Sequence, residues 1–135
     1  MTVRLGVEYA DARALVDHKL YWAAASSKEE AQYLTAVLNS PALTQLLAPM
    51  QSRGEHNPRD FDMLVWRLPI PTFEPTDSAH AQLVELAAKA EKIAAKTDVN
   101  AHRTFQAQRR VIREALASQG VSEAIDALVI DLLKP

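Results

Sequence analysis

The sequence has no cysteine, only three glycines, and a low share of aromatic residues, 6%. The absence of cysteine excludes a disulfide framework and thiolate metal sites, and it is compatible with a cytoplasmic protein. Few aromatic residues together with many alanines favour helices over a large sheet. The apolar runs are far shorter than a membrane span, so the sequence predicts no membrane partner.

The sequence also has little excess charge of either sign, because 15 lysines and arginines stand against 17 aspartates and glutamates, for a formal net charge of −2. A chain without a global basic field can hold an anionic partner only through a local cluster of cations. The length of 135 residues and the apolar share of 48% suffice for one domain with its own core.

The first quarter of the chain shows a strand-like alternation. Val3, Leu5 and Val7 are apolar at every second position, which predicts strands over residues 2–9 and 13–25. The apolar run Met63–Trp66 predicts a further strand. The predicted fold class is therefore α+β and mostly helical. A small N-terminal antiparallel or mixed sheet with helices (residues 1–75) is joined to a C-terminal antiparallel helical unit (residues 76–135), as one compact domain overall.

Two helix starts are marked by capping residues. Ser27 and Glu30 form a capping box that predicts a helix over residues 28–39. Ser40 as cap and Pro41 at the first helical position predict a second, short helix. Its buried stripe is expected to be Leu43, Leu46 and Leu47.

The chain after Asp77 has a helical period. We expect a long helix, a second helix running to Gln119 with Phe105 pointing inward, and a stop at Gly120 in the left-handed conformation. Ser122 is expected to cap a final helix whose apolar face includes Leu128 and Leu132.

Catalytic patterns are weak in this sequence. The four histidines are scattered and no carboxylates stand beside them at metal-site spacing; they are His18, His56, His80 and His102. Asp17-His18-Lys19 has the D-x-K form of a nuclease strand, but Asp11 is the only second carboxylate available. The sequence predicts no catalytic residue and no metal site.

The segment Asn57–Asp60 begins like the tetrapeptide N-P-P-Y or N-P-P-F of amino-methylating enzymes. That motif needs an aromatic residue to stack on the flipped base, and here the last two positions are Arg59 and Asp60. The motif is therefore absent, and no cofactor is predicted for this chain.

The strongest local signal is the polar stretch QSRGEHNPRD, residues 51–60. Its donors stand on an irregular backbone, which suits contact with phosphates and base edges. The candidate DNA-binding residues are Arg53, Gly54, His56, Asn57 and Arg59. Alternatively, the two arginines pair with Glu55, Asp60 or Asp62 and the stretch is only a connector.

A second basic region follows on a predicted helix, with Arg103, Arg109, Arg110 and Arg113. We expect it to be a solvated face balanced by acidic residues of the neighbouring helices.

The order of these pieces resembles a known protein family. DHKLYWAAASSKEEAQYLTAVLNSPALTQLL, MQSRGEHNPRDFDMLVWRLPIPTFEP, HAQLVELAAKAEKIA and RRVIREALASQGVSEAIDALVIDLL follow one another as in the C-terminal end of large adenine-specific DNA methyltransferases of restriction-modification systems. The resemblance runs from Leu5 to Leu133, and its most telling part is the LNSP turn followed by the Arg-Gly loop and L-P-I-P. A related layout recurs in specificity subunits of type I restriction enzymes, where it closes a target-recognition domain.

The resemblance implies a non-catalytic role in DNA recognition, or its structural support, next to an N-terminal catalytic domain that binds S-adenosylmethionine and methylates adenine at N6. The implied partners are double-stranded DNA and that catalytic domain, and the chain is expected to be a fragment of the larger enzyme. Arg53, Gly54, Asn57 and Arg59 fall where the family has its Arg-Gly and Pro-Arg elements. The alternative is a protein–protein docking module of the same system with no direct DNA contact, whose C-terminal helices bind a nuclease or a second methyltransferase subunit.

Overall fold

The computed structural model describes residues 24–50, 64–101 and 103–134. They form five α-helices and two short 3-10 turns. The helices are α1 (Lys28–Asn39), α2 (Pro41–Leu47), α3 (Ser78–Lys96), α4 (Phe105–Ser118) and α5 (Val121–Leu132), and the turns are Ala48–Met50 and Val65–Arg67.

The predicted α+β class with an N-terminal sheet is wrong, because the described part of the chain is all helical and holds no strand. In the run predicted as a strand at 63–66, the described residues from Val65 onward lie instead in the turn Val65–Arg67. The Leu68 N–H closes this turn by donating to the Val65 carbonyl at 3.3 Å. Leu64 and Val65 are adjacent and both buried, which a strand with one buried face does not allow. The predicted strands at 2–9 and 13–25 lie outside the described residues, except Ala24 and Ala25, which are irregular.

The starts of α1 and α2 confirm the predicted caps. The Glu30 N–H donates to Ser27 Oγ at 3.0 Å. The Glu30 carboxylate reaches back one residue further than in a standard capping box, accepting from the backbone N–H and hydroxyl of Ser26 at 2.5 and 2.6 Å. Ser40 caps α2 and Pro41 is its first residue. The predicted stripe of α2 is wrong at Leu46, which is 41% exposed.

The core lies where α1 and α2 pack against α3 and α5. Its fully buried side chains come from all four helices: Tyr33, Val37, Leu43, Leu47, Leu83, Val121 and Val129. Residues from before and after position 75 thus join one apolar cluster. Burial of this cluster is the main source of stability in a domain of this size.

Helix α4 lies outside this core. It contacts α3 and α5, yet none of its residues is buried. The prediction that Phe105 points inward is wrong, since its side chain is 51% exposed. α4 therefore rests on the domain mainly through half-buried residues such as Ala115 and Leu116.

Gly120 joins the last two helices. Its φ of +67° confirms the predicted left-handed stop of α4. Gly120 is also the N-cap of α5, so the prediction that Ser122 caps this helix is wrong. The buried face of α5 is formed by Val121, Ile125 and Val129, and the predicted Leu128 and Leu132 flank it, half-buried.

Candidate nucleic-acid interface

The five candidate DNA-binding residues, Arg53, Gly54, His56, Asn57 and Arg59, all lie outside the described residues. Their contact with DNA stays a prediction. The structure describes the two ends between which they stand, Met50 on one side and Leu64 on the other. The attachment of these two ends limits the positions that the residues between them can reach.

The end before the stretch is fixed through α2. The Ser40 hydroxyl donates a short hydrogen bond to the Asp126 carboxylate of α5. The Ala42 N–H lies 3.4 Å from the same carboxylate oxygen and 3.1 Å from Ser40 Oγ. Leu47, at the last position of α2, is fully buried. A polar clamp and an apolar anchor thus attach α2 to the last helix.

The end after the stretch is fixed against α1. Leu64 and Val65 are buried, and the Ile70 N–H donates to the Leu68 carbonyl at 2.8 Å, which folds the chain tightly around Pro69. The Tyr33 hydroxyl then donates to the Pro71 carbonyl at 3.0 Å. The segment Leu68–Pro71 is thus attached to α1.

An aromatic cluster continues this attachment as far as α3. The ring of Tyr33 lies 4.6 Å from that of His80 and 5.5 Å from that of Phe73, centroid to centroid. His80 is buried, and its Nδ1 accepts from the Glu74 N–H at 3.0 Å. A histidine that accepts at Nδ1 carries its proton on Nε2 in the neutral form. His80 is therefore a structural residue that holds the turn before α3.

The pKa values of Tyr33 and Asp77 are both shifted away from neutrality. Burial, and to a lesser degree the Asp77 carboxylate, raise the pKa of Tyr33 to about 12. Hydrogen bonds from the His80 and Ala79 amides hold the pKa of Asp77 below its usual range. At pH 7 the phenol stays a donor and the carboxylate stays charged, as their structural roles require.

The second basic region lies within the described residues. Arg109, Arg110 and Arg113 are all exposed on α4. The Arg109 guanidinium lies 5.4 Å from the centre of the Phe105 ring. Arg110 pairs with Glu114 of its own helix at 3.6 Å. The expectation that neighbouring helices balance these arginines is not met by any ion pair among the described residues. The i,i+4 spacing of Phe105 and Arg109 was the available sequence signal for their contact.

Metal and membrane sites are not found in the described ranges. No group of three or more histidine, aspartate or glutamate side chains there could hold a metal ion. No helix there has the length and apolar content to cross a bilayer. The D-x-K segment with Asp11, the Asn57–Asp60 segment, and His18, His56 and His102 lie outside the described residues.

In comparisons with known proteins, no family model matches this chain, and no curated protein and no solved structure shows significant similarity to it.

Proposed function

We propose that this chain is a cytoplasmic, non-catalytic DNA-recognition or scaffold module from the C-terminal end of an N6-adenine DNA methyltransferase of a restriction-modification system. The observation that carries the proposal is the attachment of both ends of the polar stretch 51–60. The chain is held at Ser40 and Leu47 before the stretch, and at Leu64, Val65 and Pro71 after it.

Fixed ends matter because a recognition segment loses conformational entropy when it orders on DNA. Anchors on rigid helices reduce that cost and limit where the arginines can reach. A segment that only connects two packed elements does not need several side chains that donate hydrogen bonds. Arg53, Arg59 and Asn57 are side chains of the kind that contact phosphates and base edges.

Methyl transfer belongs, in this proposal, to an N-terminal catalytic domain of the larger enzyme, which binds S-adenosylmethionine. This chain supplies neither the cofactor site nor the clamp for the target amine. Calorimetric titration of the chain with S-adenosylmethionine is expected to give no specific heat. Micromolar binding would assign catalysis to this chain and contradict the proposal.

The recognition role is tested by measuring duplex binding at several salt concentrations, with Arg53→Ala and Arg59→Ala beside the exposed control Lys28→Ala on α1. Loss of an arginine that grips a phosphate is expected to weaken binding to all sequences and to lower the salt slope by about one counterion. Loss of one that reads a base is expected to cost about 1–3 kcal/mol on the preferred site. If both arginine variants behave as the control does, the stretch is a connector.

A second candidate function, a protein–protein docking module, is favoured by exposed apolar side chains. Leu46, Met50 and Ile130 are 41%, 43% and 44% exposed, and Ile130 lies on the last helix. Apolar side chains left in water suit contact with a protein surface, here that of a nuclease or of a second methyltransferase subunit. In that case the chain binds no duplex DNA, and Ile130→Glu weakens its association with the partner subunit.

A further inference from the structure

We propose that the exposed face of α4 carrying Arg109, Arg110 and Arg113, here called the basic face, contacts the phosphate backbone of double-stranded DNA without reading its sequence. This inference rests on the proposed recognition function and adds to it a second surface, separate in sequence from residues 51–60.

The first observation is the concentration of charge. Four arginines and one glutamate lie between residues 103 and 118, a local charge of +3. The whole chain carries −2, so the remaining residues carry −5. The positive potential needed to attract a polyanion is thus confined to one segment rather than spread over the molecule.

The second observation is that most of these arginines form no ion pair within the described part of the chain. Arg110 pairs with Glu114, and both side chains are about 70% exposed, so the pair is weak. Arg103 and Arg113 form no ion pair with any residue in the described ranges. Arg109 and Arg113 stand one turn apart on α4, about 6 Å along its axis, and repel each other. A bound anion removes this repulsion.

The third observation is the contact of Arg109 with Phe105. A cation–π contact uses none of the hydrogen bonds of a guanidinium and leaves its N–H groups available to other partners. Those N–H groups form a fork that matches phosphate oxygens. The ring therefore restrains the arginine in advance, and less entropy is lost when DNA binds.

The composition of the face favours a nucleic acid over a protein partner. Around the helix, the positions between Arg109 and Arg110 hold Gln106, Arg113 and Ala117, and Phe105 is the only large apolar side chain of α4 that is mostly exposed. Protein interfaces accept arginine but need several apolar or aromatic anchors at their centre. A face with three arginines, one amide and a single exposed ring suits phosphates better.

The experiment compares two double variants of the full chain, each losing two exposed charges. Arg109→Gln with Arg113→Gln alters the basic face, and Lys89→Gln with Lys92→Gln alters the exposed face of α3. Binding to a fluorescent random-sequence duplex is measured by anisotropy between 50 and 200 mM salt. We expect the first variant to flatten the plot of log affinity against log salt by about 1.8, or 0.9 for each lost contact, and the second to leave it unchanged.

The outcomes separate this inference from the function on which it rests. If the unaltered chain binds no duplex, both fail. If it binds, and the arginine variant keeps the full slope or the lysine variant loses as much, the basic face is not a contact surface while the recognition role stands. Displacement of the duplex by poly-glutamate as readily as by unlabelled DNA at equal charge would assign the face to an acidic protein and overturn the inference. Unchanged melting temperatures of both variants exclude misfolding.

Discussion

The phenol of Tyr33 on α1 donates its hydrogen bond to the carbonyl oxygen of Pro71, 38 residues further along the chain, at 3.0 Å. This contact joins the first helix to the segment that follows the candidate recognition stretch. Tyr33 is fully buried and makes the ring contacts with Phe73 and His80 as well. One side chain thus holds three parts of the fold together.

Replacement of Tyr33 by Phe keeps the ring and removes only the hydrogen bond. We expect the variant to fold and to lose about 0.5–1.5 kcal/mol of unfolding free energy in urea. Leu46→Ala, on the exposed part of α2, is the reference for a change that removes no buried contact. An unchanged urea midpoint for Tyr33→Phe would show that the hydroxyl contributes nothing to attachment of residue 71.

The ionisation of Tyr33 gives a second, independent measurement. Because its pKa is raised from 10.0 to about 12, the folded state binds more protons than the unfolded state between these values. The stabilisation that comes from the protonated Tyr33 phenol is therefore fully present below pH 10 and is lost as the pH rises towards 12. In a variant with Tyr9→Phe and Tyr21→Phe, the absorbance of the remaining phenolate is expected to appear near pH 12. Titration near pH 10 would contradict the buried position.

Asp77 is expected to make the start of α3 sensitive to acid. Its carboxylate accepts from the Ala79 and His80 amides at 2.8 and 3.0 Å, which lowers its pKa. A lowered folded-state pKa means that the stabilisation is present above about pH 4 and is lost as the pH falls further. Asp77→Asn keeps an acceptor oxygen at the cap and is expected to remove this part of the acid dependence. If the unfolding free energy falls equally in both proteins between pH 4 and pH 2, the charge of Asp77 does not stabilise the start of α3.

Gly120 is expected to tolerate no ordinary side chain without loss of stability. A Cβ there meets no atom within 4 Å, so the obstacle is the φ of +67° rather than space. Gly120→Ala is expected to cost about 1–2 kcal/mol, and Gly120→Asn less, because asparagine adopts the left-handed conformation more readily. Thermal unfolding of the two variants gives this order. Equal losses would indicate a steric cause.

The core is tested by one pair of identical substitutions. Leu83 on α3 is fully buried and Leu46 on α2 is 41% exposed. Leu83→Ala is expected to cost about 2–5 kcal/mol, and Leu46→Ala much less, because only the first leaves a cavity. Similar losses would mean that Leu46 is covered in solution, as a docking surface would be.

The sequence predicted well those elements that local chemistry determines. The caps at Ser27 and Ser40 and the left-handed Gly120 each follow from hydrogen bonds or backbone angles within a few residues. The helical bounds at Lys28–Asn39 followed from the cap and the period together. Asp77, which accepts from two amides, was missed as a cap although aspartate before an apolar period is a known signal.

The errors concern features that depend on tertiary contacts. The apolar run Met63–Trp66 is too short for its period to distinguish a strand from a turn. Burial of both Leu64 and Val65 in the core favours the turn. Phe105 was placed inward because it is large and apolar, yet α4 lies at the edge of the core. Its contact with Arg109 gives the ring a partner at the surface instead. The contact of residues 51–60 with DNA remains a sequence-based prediction.

The clamp between Ser40 and Asp126 spans 86 residues of sequence, and this separation has a consequence during synthesis. At about 5–20 residues per second, α2 is complete roughly 4–17 s before its partner on α5 has been made. Throughout that interval Leu43 and Leu47 have no α5 to cover them, so the nascent chain presents apolar surface to chaperones and to other chains. The last helix thus sets the time at which α2 can be buried.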